Sequence, residues 1–400
     1  MTQDFMPLLF AADINVYSVA RAFHEKYGVR STVYGKAARG PCSDSAIIDY
    51  TSVEGADMPE TILRLVNGFA AAHADKKILA IGCGDSYVRS LCEKKGEFAA
   101  NVVAPYGDVG LIEELINKET FYALCEREGI DYPDTFIHRS GMAADCELPF
   151  DGPFIIKPSN GVQYWMFPFE GQDKVFKADT RAQAAAILQR IYASGYSDSV
   201  VIQNFIPGDD SYMRVITCYS DRNARARMTC LGHVLLEEHT PHGIGNHAVI
   251  ITEHDAELSQ RFRRLLDSVG YTGFSNFDIK YDMRDGKYKV FELNARQGRS
   301  NYYVTGAGMN VAELLVRDRI RGEALEDVDV ANESLWMVVP RGVALKNIDE
   351  KYAADIGRLI SEGKYTSPLL YGPDKGVIHR LKILKNRLEY GAKFKKYYHR

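Results

Sequence analysis

A doubly wound α/β region followed by an α+β region is the fold class this sequence predicts. Three observations carry that prediction. Short apolar runs alternate with helically spaced segments through the first hundred residues, the pattern of a parallel sheet wrapped by helices. From residue 154 onward the pattern becomes strand–turn–strand, with a hairpin signal at Asp285-Gly286. At 400 residues the chain is long for one domain and suggests two or three. Boundaries are expected at 1–108, 109–325 and 326–400, the last block being a helical extension with a basic tail.

In order, PLLFAAD at 7–13 is an apolar strand signal. Residues 15–28 place Val16, Val19, Ala20 and Phe23 at helical spacing and stop at Gly28. VRSTVYG at 29–35 and AIIDY at 46–50 read as strands, and 60–73 as a helix. KILAIGCGD at 77–85 is a buried strand ending in a glycine turn. Residues 110–133 form two short helical runs closed by Gly129 and Pro133. FIIKPSNG at 154–161 is a strand entering a polar turn, and 181–195 is an amphipathic helix. Residues 199–217 read as strand, turn and strand, and 273–298 as a hairpin. Helices are expected near 310–322 and 349–361.

Composition excludes several classes. Hydrophobic residues are 46% and charged residues 26% of the chain, which is globular rather than disordered or fibrous. Lys+Arg is 49 against 53 Asp+Glu, a net charge of -4, with no overall footprint for nucleic acid. The seven cysteines are odd in number, widely spaced and without a CxxC, so neither a disulfide framework nor a zinc ribbon is indicated. The apolar run near the N-terminus is short and flanked by acids, unlike a signal peptide. No run of about 18 apolar residues occurs, and the expected location is cytoplasmic.

The hairpin carries the most chemistry. Successive strand residues alternate faces, so Glu292, Asn294 and Arg296 share one face, and Asn276, Asp278 and Lys280 share another. A turn centred on Asp285 sets Asp278 opposite Glu292 and Asn276 opposite Asn294. Facing carboxylates repel unless a cation lies between them. An all-oxygen donor set suits Mg²⁺ held against phosphates. The plainer alternative is a solvated polar face balanced by Lys280 and Arg296. On the first reading, removing one carboxylate relieves repulsion and raises the stability of the unliganded protein.

Lys157 leaves the apolar strand PFIIK beside the turn Pro158-Ser159-Asn160-Gly161, placed to hold phosphate oxygens as a point charge. Lys118, at the start of a helical run, reads by itself as a surface lysine. Pro207-Gly208 joins two strands. Such a turn is either a plain β-turn or a clasp for a flat heterocycle, with Phe205 and Ile206 as walls and Asp210 reaching ribose hydroxyls.

In order and approximate spacing, Lys118, Lys157, Ile206-Pro207-Gly208-x-Asp210, Asp278 and Glu292-x-Asn294-x-Arg296 resemble the ATP-grasp superfamily over about residues 105–320. The resemblance implies an ATP-grasp fold after a doubly wound pre-ATP-grasp domain. It implies that Lys118 and Lys157 contact ATP phosphates and that Gln203, Asn204, Phe205 and Ile206 form the adenine hinge. It also implies that Asp210 holds the ribose and that Asp278, Glu292 and Asn294 bind Mg²⁺. Arg296 and Lys157 would then stabilise the reacting groups, with Arg299 a further catalytic candidate. The loop PSNGVQYW is poorer in glycine than the superfamily's usual loop, and Gln203 stands where glutamate is common.

Lys157-Pro158-Ser159-Asn160, Tyr164-Trp165 and the stretch from Gln297 to Tyr303 resemble the carboxylate–amine ligases that include the peptidoglycan D-aspartate ligases. Those enzymes join the β-carboxylate of D-aspartate to a lysine side chain of a cell-wall precursor. The resemblance therefore implies ATP, Mg²⁺, a small carboxylate and an amine acceptor such as a muramyl peptide. Two rival readings are a bicarbonate-using carboxylase of the same superfamily and a nucleotide- or S-adenosylmethionine-binding protein acting through IGCG at 81–84. That glycine turn lacks the third glycine of GxGxxG and reads as a strand–helix turn that borders an acceptor or carboxylate pocket. His239, His242 and His247 occupy one glycine-hinged loop. It reads as substrate-facing rather than zinc-binding, because no Cys or second His pair supports a metal.

From Lys375 to Arg400 nine Lys/Arg stand against the single acid Glu389. Ile378, Leu381, Leu384 and Leu388 recur at steps of three and four, with Arg380, Lys382, Lys385 and Arg387 between them. The preferred reading is a helix that packs its leucines onto the protein. The rival is a basic amphipathic helix lying on an anionic membrane at the inner face.

Overall fold

The structure, a computed structural model, describes residues 3–38, 40–240 and 243–398; His242 lies outside the described residues. The chain forms two compact units. One comprises residues 1–112, 210–276 and 294–400, and the other 113–209 and 277–293. Neither unit coincides with one of the three consecutive blocks, because segments distant in sequence close the same layers.

The larger unit opens with the doubly wound region. Its parallel sheet has the order Ile48–Ser52, Ser31–Gly35, Phe5–Phe10, Lys77–Gly82, Val102–Val103. Helices Ile14–Tyr27, Pro59–Ala72 and Asp85–Lys94 connect the strands. The apolar positions at helical spacing, Val16, Val19, Ala20 and Phe23, are all buried. Asp13 caps this helix by accepting from the Asn15 and Val16 amides, and Gly28 closes it at φ 67°. Gly82 ends its strand where an added Cβ would lie 2.8 Å from the Val88 backbone nitrogen. The first glycine of IGCG thus lets a helix start close against the strand end. The order in which successive strands are added reverses between the parallel neighbours Phe5–Phe10 and Lys77–Gly82, the place where open α/β sheets bind ligands.

The same unit holds an antiparallel run of Met213–Ser220, Ala226–Glu238, Asn246–Glu253 and Leu335–Met337. The helix expected at 310–322 is Val311–Leu315 continued by one π-turn, Val316–Ile320. The helix expected at 349–361 is a 3₁₀ turn at Glu350–Tyr352 followed by Ala353–Ser361. The basic tail is one long helix, Val377–Tyr397.

That helix corrects the expected packing of its leucines. Its buried residues are His379, Ile383, Tyr390 and Phe394, whereas Leu381, Leu384 and Leu388 are 62%, 56% and 72% exposed. The inward face brings polar anchors that the leucine stripe lacks, because His379 stacks on Tyr17 and lies beside Asp374 while Tyr390 donates to Glu238.

The smaller unit is built on a four-stranded antiparallel sheet, in the order Thr135–His138, Val200–Asn204, Phe154–Pro158, Phe176–Ala178. One face packs Phe154, Ile156 and Ile202 against Ala184, Ile187, Leu188 and Ile191 of helix Arg181–Ala193. Thr180 and Gln183 close that helix with a reciprocal capping box. Residues 277–293 belong to the arms and turn of the predicted hairpin, Gly273–Asp282 and Lys287–Asn294, with Gly286 at φ 73° in the turn.

Ile202 pairs in register with Phe136 and Ile156 and is fully buried. Ile202→Ala is expected to destabilise the protein by about 2–5 kcal/mol. Urea unfolding checks this, with a lower midpoint at unchanged slope.

Candidate active site

In the smaller unit, alternation along Phe154–Pro158 decides the site. Phe154 and Ile156 point into the core, so Lys157 emerges on the opposite face. The register pairs Ile155 with Gln203 and Lys157 with Val201, which puts Gln203 on the same face as Lys157. Lys118 begins helix Lys118–Glu128, whose Asn117 cap accepts from the Glu119 and Thr120 amides. A lysine at the positive end of a helix is locally unfavourable. It is balanced here by Glu292, whose carboxylate lies 3.4 Å from Lys118 Nζ.

Burial opposes ionisation of Glu292, yet Lys118, Lys174 and Lys157 together hold its carboxyl down at about 2. Burial acts on Lys157 as well. It outweighs the attraction of Glu292, repulsion from Lys118 and Lys174 adds to it, and the ammonium is lowered to about 8. Lys157 Nζ also lies 4.8 Å from the centre of the Phe291 ring. Asp278 contributes a favourable charge to Lys157. The expected repulsion between Asp278 and Glu292 is thus overridden at Glu292 by three ammonium groups. The rise in stability expected on removing a carboxylate is reversed with it. Lys174 escaped the sequence reading because it sits in a polar loop before Phe176–Ala178, with no spacing to mark it.

Lys280 does not balance a solvated face. It is buried and donates to the Gly208 carbonyl at 2.8 Å, holding the turn that follows strand Val200–Asn204. At the end of strand Val200–Asn204, Gln203 is buried and its amide donates to Thr135 Oγ1 at 3.0 Å. It also bonds the Tyr122 hydroxyl, which donates to the Phe291 carbonyl. Asn204 donates to the Asp151 carbonyl and accepts from Arg284. The Phe205 amide bonds the Pro153 carbonyl, and its ring faces the ammonium groups of Lys177 and Lys280 at 4.9 and 5.5 Å. Ile206 is buried.

The remaining sequence candidates lie in the larger unit. Arg296 pairs with Asp85 at 2.8 Å and donates to Asn294 Oδ1 at 3.2 Å. Asp85 is the first residue of the helix after the glycine turn, so IGCG leads into a residue that holds this arginine. Arg299 donates to Glu238 at 2.9 Å and to the His247 carbonyl at 3.4 Å. Asp210 accepts from the Glu237 amide at 2.9 Å and pairs with His239 at 3.0 Å. Burial and then Arg299 hold His247 down at about 4, so its ring is neutral at pH 7. Among the described residues, no group of three or more His, Cys, Asp or Glu is arranged to hold a metal ion.

Between Arg296 and Arg299 lies a buried amide network that the sequence did not reveal. Asn15 donates to the carbonyls of Cys83 and Gln297 at 2.9 and 3.0 Å. Asn301 donates to Asn15 Oδ1 at 2.8 Å and to the Gly298 carbonyl at 3.0 Å. Gly298 must be glycine, because a Cβ there would stand 2.8 Å from Asn276 Oδ1, an atom already bonded to Thr217. Burial raises the Asp13 carboxyl pKa against the opposing charges of Arg299 and Arg296. The only sequence signal for Asp13 was its place before a helix, which marks a cap and not a site.

No protein-family model matches the chain. A D-aspartate ligase from Enterococcus faecium (strain Aus0004) is 39% identical over 414 residues, covering 99% of this chain and 97% of that protein. The L-amino acid ligase from Bacillus licheniformis superposes with a TM-score of 0.55 at 15% identity, over 79% of this chain and 75% of that one. The biotin carboxylase domain of the Hydrogenobacter thermophilus 2-oxoglutarate carboxylase was solved with MgADP, ADP and bicarbonate. It superposes at 0.61 with 15% identity, over 84% and 74% of the two chains. These two likenesses show the shared ATP-grasp fold. The near full-length identity shows the rest: the chain belongs to the D-aspartate ligase family and is an ATP-dependent carboxylate–amine ligase.

Proposed function

We propose that the chain activates D-aspartate with Mg·ATP and joins it to an amine of a peptidoglycan precursor peptide. The observation that carries the nucleotide part is the convergence of Lys118, Lys157 and Lys174 on Glu292. Three ammonium groups around one carboxylate leave surplus positive charge for phosphate oxygens. Asp278, Glu292 and Asn294 are the oxygen donors for Mg²⁺, an ion usually held by one or two carboxylates together with substrate phosphates. Its chemistry when bound is to neutralise charge on the transferring phosphoryl group.

Lys157 orients the phosphates. Gln203, held by Thr135 and Tyr122, sets the strand end from which Asn204, Phe205 and Ile206 line the adenine. Asp210 serves the ribose in this proposal. The carboxylate oxygen takes the γ-phosphoryl group and ADP leaves. The acceptor amine then attacks the carbonyl carbon, the carbon–oxygen bond to phosphate breaks, and the amine loses a proton. Arg296 and Arg299 stabilise the anionic groups during both steps; this role rests on the sequence motif. In sequence terms, 1–108 is the pre-ATP-grasp domain, 109–325 the ATP-grasp domain and 326–400 the extension. The proposed location is cytoplasmic, with peripheral attachment to the inner membrane face where such acceptors are completed.

A phosphate-release screen of carboxylates against amines tests the substrates. D-aspartate with a lysine-bearing muramyl peptide is expected to give ADP, phosphate and an amide. Turnover with bicarbonate and no amine, or none with D-aspartate, overturns the assignment.

Glu292→Gln is expected to lower Mg·ATP turnover by at least about a hundredfold. It should also destabilise the unliganded protein by roughly 1–2 kcal/mol, because three cations lose their counter-charge at a partly exposed site. Full turnover at ordinary Mg²⁺, or a more stable variant, refutes the role. Arg296→Lys should reduce kcat, since an ammonium cannot reproduce the planar fork now on Asp85; unchanged kinetics would remove Arg296 from the site.

Lys157 gives the pH dependence its sign. Its folded value of about 8 lies below the ordinary 10.5. Between these values the unfolded chain binds more protons, so this group's contribution to stability rises with pH across that window. Bound triphosphate favours the charged form, so above about pH 8 ATP binding takes up a proton. Calorimetry is expected to show Kd rising above pH 8 by up to about tenfold per unit, and Lys157→Arg should flatten the profile. A wild-type profile that is already flat separates Lys157 from the phosphates.

A further inference from the structure

The inward face of helix Val377–Tyr397 is firmly seated in the larger unit. The His379 ring stacks on Tyr17 with centroids 5.3 Å apart, and His379 Nε2 lies 3.3 Å from Asp374. Asp374 in turn accepts from Ser45 Oγ, the Ala46 amide and Tyr17. Arg380 donates to the carbonyls of Asp374 and Gly372, and Lys382 to Ser43 and Asp44. Farther along, Tyr390 donates to Glu238 at 3.3 Å. These bonds fix which face of the helix points outward.

That outward face is apolar along its middle. Val377, Leu381, Leu384 and Leu388 recur at steps of four, three and four and are 72%, 62%, 56% and 72% exposed, which aligns them on one line of the helix. Lys385 flanks the line and Lys395 continues it in the last turns, and both are exposed. Its 21 residues make a rod about 32 Å long. Among the described residues, no helix is long and apolar enough to cross a membrane. A leucine line bordered by lysines on a pinned helix matches an in-plane surface helix, leucines entering the acyl boundary and ammonium groups meeting lipid phosphates.

We propose that this face docks on an anionic lipid bilayer. Charge favours a bilayer over a second copy as the occupant, since Lys385 and Lys395 outnumber the exposed Glu389 along this face. Two such helices face to face would set their lysines against one another, whereas an anionic leaflet complements them. The proposal stands on the helix alone and does not depend on the identity of the ligase substrates.

Sedimentation of the full chain with vesicles tests it, using phosphatidylcholine alone and phosphatidylcholine mixed with phosphatidylglycerol. Binding is expected only to the anionic vesicles and is expected to weaken with added salt. Leu384→Asp with Leu388→Asp should weaken it at least tenfold, and Lys385→Glu with Lys395→Glu comparably. All four side chains are exposed, and phosphate release in solution should be unchanged in both variants. No sedimentation with anionic vesicles overturns the proposal, as does leucine-variant binding equal to wild type. A concentration-dependent dimer in ultracentrifugation that the leucine variant abolishes reassigns the face to self-association and overturns it too.

Discussion

The carboxylate of Glu292 is what lets three lysines share one end of the small antiparallel sheet. Lys118 sits at the positive end of a helix, Lys157 leaves a buried strand and Lys174 comes from a loop. Each would be costly near the others without an anion between them. Glu292 supplies that anion, and its burial, which by itself raises the carboxyl pKa, is outweighed by the lysines. With one carboxylate among three ammonium groups, the cluster carries more positive charge than that carboxylate cancels.

The larger unit uses a different device. Buried amides of Asn15, Gln297 and Asn301 tie the segment after the hairpin to the strand ends of the doubly wound sheet. Amides donate and accept without carrying charge, so they fix a backbone in the interior at little desolvation cost. Arg296 and Arg299 stand on either side of that fixed segment, each held by a carboxylate, Asp85 and Glu238. Their planar forks are pre-oriented by these pairs rather than left to sample rotamers. Asp13 adds a third acid near both arginines, so this end of the parallel sheet is densely charged where such sheets bind ligands.

Full-length identity to one ligase and fold likeness to others carry different weight. The identity covers almost every residue of both chains and so reaches the segments that set family membership. The structural neighbours are at 15% identity, a level at which a fold is kept while substrates change. The carboxylase among them shares the architecture and not, on that account, the use of bicarbonate.

The sequence by itself determined the alternation of strands and helices, because apolar period and turn residues are local. Val16, Val19, Ala20 and Phe23 on one helix face, the Gly28 stop and the Asp285-Gly286 turn all needed only near neighbours. It also marked Lys118, Lys157, Asp278 and Glu292-x-Asn294-x-Arg296, because their order along the chain carries a family resemblance. Tertiary structure alone decided which charges meet. Lys174 joins Glu292 across more than a hundred residues, Lys280 turns to Gly208, and Arg296 finds Asp85. It likewise decided that the tail helix buries His379, Ile383, Tyr390 and Phe394 and leaves its leucines outside. Periodicity shows that a helix has two faces, but which one is buried depends on the surface that receives it, and that surface is assembled from residues remote in the chain.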